Sequence, residues 1–400
     1  MRILVISHMF PSSFNHGGIF IYNQTKALVD QGVDVRVLQP IPWAPWPLSY
    51  RNKWRRYHQV AQETSWNEMA VTRVAYPHPP TGVLQPLAPI LLVAPLIRAL
   101  RKIQRTFDFQ LIHAHVLTLD GFAAVQAGRA LKKPVVVSLR GSDVHTYPRQ
   151  NAWVARQARF TLAHGDRFIA VSRALARQTE TLGPHQSPAE VIYNGVDSSL
   201  FSPCADKPKL RIALGLPPKG TIILAVGGLV PEKGMVELIS AFEHAARNHP
   251  DLRLVVVGNG PLRSALESLG QRMGRGRVIL PGAVSNRQVA DYMRSADILL
   301  HPSHAEGLPN VVLEAMASEL PVIAADVGGL PEVVVPGETG LLFEAQDARQ
   351  LESHLLQLLS DRALACQMGR AGRARVLDCH SWEHNAREHI RIYQDLLDTP

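Results

Sequence analysis

Short apolar runs alternate with stretches of helical apolar spacing from one end of this 400-residue chain to the other, the pattern that parallel α/β sheets impose. Residues 3–7 read as a strand, 19–31 as a helix ending near Gly32, and 33–38 as the next strand; 110–114, 134–139 and 167–171 continue the beat. It stops between 194 and 219, where Pro203, Pro208, Pro217 and Pro218 stand among mixed charges, and this stretch reads as a linker. The beat restarts at 221–226 and runs through 252–257, 278–280, 298–301 and 321–324. The expected architecture is α/β: two doubly wound, Rossmann-like domains facing a cleft, 1–203 and 204–380, followed by a final helix in 381–400. Such sheets bind ligands beyond the carboxyl ends of their strands, so the informative residues should stand directly after the apolar runs.

With 46% hydrophobic and 19% charged residues and a mean hydropathy of -0.02, the chain is neither disordered nor collagen-like. Three scattered cysteines, Cys204, Cys366 and Cys379, exclude a disulfide scaffold or a Cys-rich zinc site and fit a reducing, cytoplasmic compartment. The first apolar run is too short for a signal peptide. The longest uncharged run, 83–97, is shorter than the roughly 20 residues of a membrane span and holds Pro86, Pro89 and Pro95; it reads as a buried or interfacial segment. The formal charge of +8 is unevenly spread: 22 Lys and Arg against 11 Asp and Glu leave +11 in residues 1–203, and the remaining 20 against 23 leave -3. A basic half suits nucleic acid, an anionic membrane or an acidic substrate, with a solvated basic face as the competing reading. No recognition motif accompanies the charge, so no nucleic-acid partner is expected. Within residues 43–57, Trp43, Trp46 and Trp54 mix with Arg51, Lys53, Arg55 and Arg56, a composition suited to peripheral contact with an anionic leaflet.

The loop after the first strand carries Gly17-Gly18 at a helix start, where backbone N–H groups can face an anion. The second half repeats this with Gly227-Gly228 and Lys233-Gly234 before a helix near Met235. A lysine there adds a point charge suited to pyrophosphate, although the Walker order of residues is absent. Gly258-Asn259-Gly260-Pro261 has two of the three dinucleotide-fingerprint glycines, a weak sign of a nicotinamide cofactor. The segment from His301 to Glu314 is the most specific: Glu306 lies in a loop, Pro309 suits the first helical position, and Glu314 falls inside the helix. Two carboxylates could then flank one ligand at a helix N-terminus formed by Leu308, Pro309, Asn310 and Val311.

These residues together resemble the retaining, nucleotide-sugar-dependent glycosyltransferases of family 4, which have the GT-B fold. Glu306 and Glu314, separated by seven residues, match that family's signature pair; Asn194-Gly195-Val196-Asp197, Lys233-Gly234, Gly258-Asn259-Gly260-Pro261, Pro331-Glu332, Gly337 to Leu342 and Ser381-Trp382-Glu383 support it in the expected order. Within the family the chain looks most like exopolysaccharide and teichuronic-acid type transferases. The resemblance implies a UDP- or GDP-linked sugar as donor, a lipid-linked or oligosaccharide acceptor, and no cofactor or metal, in agreement with the lack of an Asp-x-Asp. It also implies that Glu306 positions the donor sugar, Glu314 accepts from the ribose, His115 contacts the sugar, and the final helix crosses back onto the first domain. Lys233, with Glu306 and His115, is expected to carry catalysis; Gly17, Gly18, Gly228, Gly258 and Leu308 to Val311 are expected to bind the donor.

The chain departs from the family where many members have an arginine after the first glycine of the phosphate loop; here Gly228 stands, and Arg140, after the strand 134–139, is the candidate replacement cation. His113, two residues before His115, is assigned to the opposite strand face and a structural role. A His-x-His pair could bind metal, but no acidic or cysteine ligand stands close in sequence. A nucleotide-sugar epimerase, a phosphorylase-like enzyme and a catalytically silent sugar-nucleotide scaffold are the competing functional readings.

Overall fold

The computed structural model describes residues 1–12, 17–44, 52–60, 64–78 and 82–398. It divides into two compact units, Met1–Asn194 with Trp382–Pro400, and Gly195–Ser381. The first unit is built on β1 (Arg2–Ile6), β2 (Asp34–Trp43), β3 (Ser65–Trp66), β4 (Met69–Pro77), β5 (Leu111–His115), β6 (Val135–Leu139), β7 (Arg167–Ala170) and β8 (Ala189–Val191), in the spatial order β3-β4-β2-β1-β5-β6-β7-β8. Only β3 runs antiparallel to its neighbour among the described strands. Every residue of β5 and β6 is buried, as in a sheet covered on both faces, and the polar residues among them are His113, His115 and Ser138. The strand order reverses between β1 and β5, so the segments after them diverge and leave a crevice at their carboxyl ends.

The helix Ile19–Asp30 and the final helix Trp382–Asp398 both pack on this sheet: Ile21, Leu28, Ala386, Ile392 and Tyr393 share one buried cluster with Ile3, Val5 and Val37. A polar seam joins them. Tyr393 Oη lies 2.7 Å from His113 Nδ1, His389 Nε2 lies 2.8 Å from the Gln24 amide, and Asn385 Nδ2 donates to the Tyr193 carbonyl at 2.7 Å. Truncating a single buried side chain of this kind typically costs about 2–5 kcal/mol. Removing residues 381–400 is therefore expected to destabilise the first unit by more than about 5 kcal/mol. Limited proteolysis would show it: residues 1–194 should turn from resistant to rapidly cleaved, and full protection after truncation would be the contrary result.

Two expectations change. The first unit closes at Asn194 rather than at 203. The stretch 194–219 is not an unstructured linker, because it contains the helix Lys207–Ala213, anchored by buried Arg211, whose guanidinium donates to Asp297 Oδ2 at 2.6 Å and to the Ser295 carbonyl at 2.8 Å. The proline-containing run 83–97 becomes a turn, Gly82–Leu87, and the start of a helix, Ala88–Gln104, that buries Leu92, Leu96 and Leu100. Pro89 sits in that helix's first turn, where its missing N–H costs nothing. No helix among the described residues is long and apolar enough to cross a membrane. Of the segment 43–57, Trp43 is exposed at the end of β2, whereas Trp54 is buried beside the rings of Tyr57 and His78. Trp46 and Arg51 lie outside the described residues, and the side chains of Lys53 and Arg56 are likewise outside them.

The second unit holds β9 (Thr221–Val226), β10 (Leu252–Val257), β11 (Val278–Gly282), β12 (Ile298–His301), β13 (Val322–Ala325) and β14 (Gly340–Phe343) in the order β11-β10-β9-β12-β13-β14, all parallel. Its order reverses between β9 and β12. The loops that follow those two strands carry Lys233 and Glu306.

Candidate active site

At the β9/β12 reversal, Lys233 ends a single 3-10 turn, Pro231–Lys233, and Gly234 (φ +68°) starts the helix Met235–Asn248 in the left-handed region. A β-carbon at Gly234 would overlap the carbonyl oxygen of Pro302, so only glycine lets this loop close against the loop after β12. The result is a charged cluster. Lys233 Nζ donates to Glu306 Oε1 at 2.5 Å, and His301 Nε2 lies 3.0 Å from the same oxygen. Burial alone would push the Glu306 carboxyl up, but His301 and Lys233 hold it down at about 2, so it is ionised across the neutral range. The loop is tied further by His304, whose N–H donates to the Glu232 carbonyl at 2.9 Å and whose Nε2 lies 3.1 Å from Glu237 Oε1.

The helix Asn310–Ala317 follows, with Leu308 buried before it and Pro309 at the cap position rather than inside the first turn. Asn310 and Val311 open the helix, whose N-terminus carries partial positive charge. Glu314 stands mid-helix and its carboxylate has no ion-pair or hydrogen-bond partner among the described residues. Burial pushes it up to about 7. Two glutamates on one loop-helix segment are thus held in opposite states, one a fixed anion and the other poised to lose its proton to a partner. Gly258 follows β10 with its N–H donated to the Gly282 carbonyl at 3.0 Å. At Gly228 the only atom of the described residues near a β-carbon would be Val230 Cγ2, at 3.8 Å; packing among them does not demand glycine there.

In the first unit, His115 ends β5 with 1% exposure, and Arg140 follows β6. Arg140 Nη2 donates to His115 Nδ1 at 2.6 Å and to Gln24 Oε1 at 2.6 Å, while Nη1 donates to Asn194 Oδ1 at 3.0 Å. Burial lowers the guanidinium to about 10, and every side chain that it bonds is neutral. Burial also pushes His115 well below the usual imidazole value, so it is neutral, with Nδ1 as acceptor and Nε2 as donor. His113 does not occupy the opposite face: residues two apart on a strand share a face, and the two rings stand 4.5 Å apart. Its Nε2 meets Ser138 Oγ at 2.8 Å. Gly17 and Gly18 precede the helix Ile19–Asp30, and a β-carbon at Gly18 would overlap the Met9 carbonyl.

The family model described as Glycosyltransferase Family 4 matches residues 17–200, and the one described as Glycosyl transferases group 1 matches residues 206–375. A protein named as a teichuronic acid biosynthesis glycosyltransferase, TuaC of Bacillus subtilis, is 34% identical over 82% of this chain and 82% of its own length. This chain is a family 4 glycosyltransferase. The glycogen synthase of Mycobacterium tuberculosis is 26% identical to it over 98% of the chain and 94% of that relative. Solved structures share its GT-B fold: the sucrose-phosphate synthase of Thermosynechococcus elongatus has a TM-score of 0.80 at 24% identity over 100% of both chains, and Anabaena HepE in complex with UDP-glucose has 0.75 at 20% identity over 99% and 100%.

Three groups of this glycosyltransferase escaped the sequence reading. His301 was visible as the residue closing an apolar strand, yet its role depends on a loop that folds back to bring Glu306 within 3.0 Å. Asp143 caps two loops at once, accepting from the N–H groups of Gly141 (2.7 Å), Arg140 (3.1 Å) and Leu117 (2.8 Å). His8, directly after β1, pairs with buried Asp120: Nδ1 and the backbone N–H lie 2.8 and 3.0 Å from Asp120 Oδ2. Burial disfavours charge on His8, but Asp120 outweighs it and raises the imidazole above its ordinary value.

Proposed function

We propose that this glycosyltransferase moves a sugar, with retention and without a metal, from a UDP- or GDP-linked donor to a hydroxyl of a lipid-linked or oligosaccharide acceptor in cell-surface polysaccharide assembly. The observation that carries the reading is the Lys233–Glu306 pair, 2.5 Å apart beside the start of a helix. A donor's diphosphate competes for the ammonium, and Glu306 is then released to accept hydrogen bonds from sugar hydroxyls. The barrier is departure of the diphosphate, and a fixed cation together with helix-end N–H groups stabilises that charge as it develops. The acceptor oxygen bonds to the anomeric carbon on the face that the diphosphate leaves, the carbon–phosphate oxygen bond breaks, and the diphosphate takes the acceptor's proton. In the first unit, Arg140 supplies a half-buried cation whose guanidinium bonds only neutral side chains among the described residues, His115 supplies an Nε2–H donor for the sugar, and Gly17 and Gly18 supply backbone. Gly228, Gly258 and Leu308 to Val311 bring backbone to the donor. Residence in the cytoplasm, with peripheral attachment through 43–57, belongs to the same reading, and the similarity to a teichuronic acid biosynthesis protein supports the polysaccharide role.

The direct test is a panel of labelled nucleotide sugars with lipid extracts and oligosaccharides as acceptors, the anomeric configuration of the product being read by NMR. Donor converted without glycosylated product indicates an epimerase, and donor bound but unchanged indicates a scaffold. Glu314 adds a pH signature. Ribose hydroxyls donate to the ionised carboxylate, so nucleotide binding must remove the proton held up to about 7. Affinity is expected to be flat above that pH and to fall by up to about tenfold per pH unit below it. Calorimetry in buffers of different ionisation enthalpy should show proton release below pH 7. Glu314→Gln should weaken nucleotide binding by about 1.5–3 kcal/mol and abolish the pH dependence.

A further inference from the structure

We propose that the second unit holds a ligand site separate from the donor site, a cavity of about 330 Å³ that binds a sugar monophosphate, with the phosphate held between Arg362 and Arg370.

The cavity lies at the amino ends of the strands whose carboxyl ends lead to Lys233 and Glu306. Thr221 begins β9, Ile298 follows Asp297 to begin β12, and Pro321 precedes β13. The six residues of β9 put about 17 Å between its two ends. One wall of the cavity is a face of the helix Arg362–Cys379, where Arg362, Cys366 and Arg370 recur every four residues and therefore stack along the helix. The floor is apolar, with Ile298, Leu320 and Leu358 buried in it.

The charges of the lining are unequally answered. Lys207 Nζ donates to Asp297 Oδ1 at 3.2 Å, and Arg211, outside the lining, donates to Oδ2 at 2.6 Å. Glu319 faces Arg373, also outside the lining, at 3.9 Å. Arg294 pairs with Asp291, while its buried Nε hydrogen has no partner among the described residues. Arg362 donates to the neutral Thr221 hydroxyl at 3.2 Å, and Arg370 has no hydrogen-bond or ion-pair partner among the described residues. Both carboxylates of the lining are thus met by cations, whereas the two guanidinium groups that flank Cys366, one helical turn to either side, are paired with none. They stand in the half of the chain, 204–400, whose 20 Lys and Arg against 23 Asp and Glu leave -3, so a generally basic surface does not account for them. Their α-carbons are about 12 Å apart along the helix axis, a span that two arginine side chains can close onto one phosphate, whose oxygens match the planar fork of each guanidinium. Asp297 and Glu319 define the rest of the ligand. Their carboxylates accept hydrogens from hydroxyl groups and repel a second anionic group, which favours a sugar with one phosphate over a diphosphate. The apolar floor takes the C–H face of the sugar ring, and the volume falls in the range of small-ligand sites, from about 300 Å³ upward.

The test uses the full chain with hexose 1- and 6-phosphates, the free hexoses, inorganic phosphate, UDP and GDP, and binding read by NMR and calorimetry. At least one hexose monophosphate should bind about tenfold or more tightly than inorganic phosphate or the free hexose, and saturating UDP or GDP should not displace it. Arg362 and Arg370 are exposed, so Arg362→Gln and Arg370→Gln should each lower that affinity about tenfold while the unfolding temperature and nucleotide affinity stay unchanged. The free cysteines give a second readout. A phosphate beside Cys366 disfavours its thiolate, so the bound hexose phosphate should slow alkylation of Cys366, followed by mass spectrometry, and leave Cys379, exposed and outside the cavity, at its own rate. That protection should be lost when both arginines are replaced. Displacement by UDP or GDP, affinity indifferent to both substitutions, equal slowing of Cys366 and Cys379, or hexose phosphate binding no tighter than that of inorganic phosphate would overturn the assignment.

Discussion

Replacing Glu306 with glutamine is expected to reduce sugar transfer by at least about 100-fold while nucleoside diphosphate affinity stays within about twofold. Glutamine preserves the shape of the side chain but not its charge. Lys233 and His301 both bond Oε1, and an amide at this position offers one acceptor oxygen and introduces two hydrogens. The sugar therefore loses the anion that its hydroxyls would bond, while the diphosphate loses nothing and gains an ammonium no longer engaged by a carboxylate. Initial rates with labelled donor and calorimetry with UDP and GDP separate the two effects. If Glu306→Gln and Glu314→Gln reduce nucleotide affinity equally, the division of roles between sugar and ribose is wrong.

Lys233→Ala should lower turnover by roughly 100-fold or more, because the cation meets charge that appears only as the diphosphate departs. Glu306 keeps His301 at 3.0 Å, so the carboxylate is not stranded, and Lys233 itself is 36% exposed; thermal stability should change little. Lys233→Arg, which retains charge but changes its shape, should recover part of the rate. Chelators should leave wild-type turnover untouched. Activity that vanishes in chelator and returns with a divalent ion would transfer the role of the lysine to a metal.

The loops that carry Lys233 and Glu306 were legible because they follow buried strands: continuous apolar runs mark strands covered on both faces, and ligand groups are expected beyond their carboxyl ends. Four strands went unread: β4 alternates buried and exposed residues irregularly along its length, β3 has only two residues, and β8 has three half-buried ones, so none of these presents an apolar run, whereas β14 is apolar but only four residues long. The helix Lys207–Ala213 was hidden by prolines and charges, because it is anchored by Arg211 bonding to Asp297 rather than by an apolar face. The error at His113 had a different origin. Strand periodicity places it with His115, and the partners that give it work, Ser138 and Tyr393, come from β6 and from the far end of the chain.

Local order along the chain by itself determined the α/β class, the division into two strand-rich halves, and the family-bearing motifs, since each depends on the spacing of neighbouring residues. Which groups meet was decided by tertiary structure. Asp120 is paired with His8, His389 with Gln24, and Asn194 with Arg140 through folding that brings residues far apart in sequence within 3.0 Å. Protonation followed from the same step: two glutamates of one segment are held at about 2 and about 7 because one is folded against a lysine and a histidine and the other is desolvated with no ion-pair partner among the described residues. Burial and neighbouring charge set these states, and neither exists until distant parts of the chain have packed together.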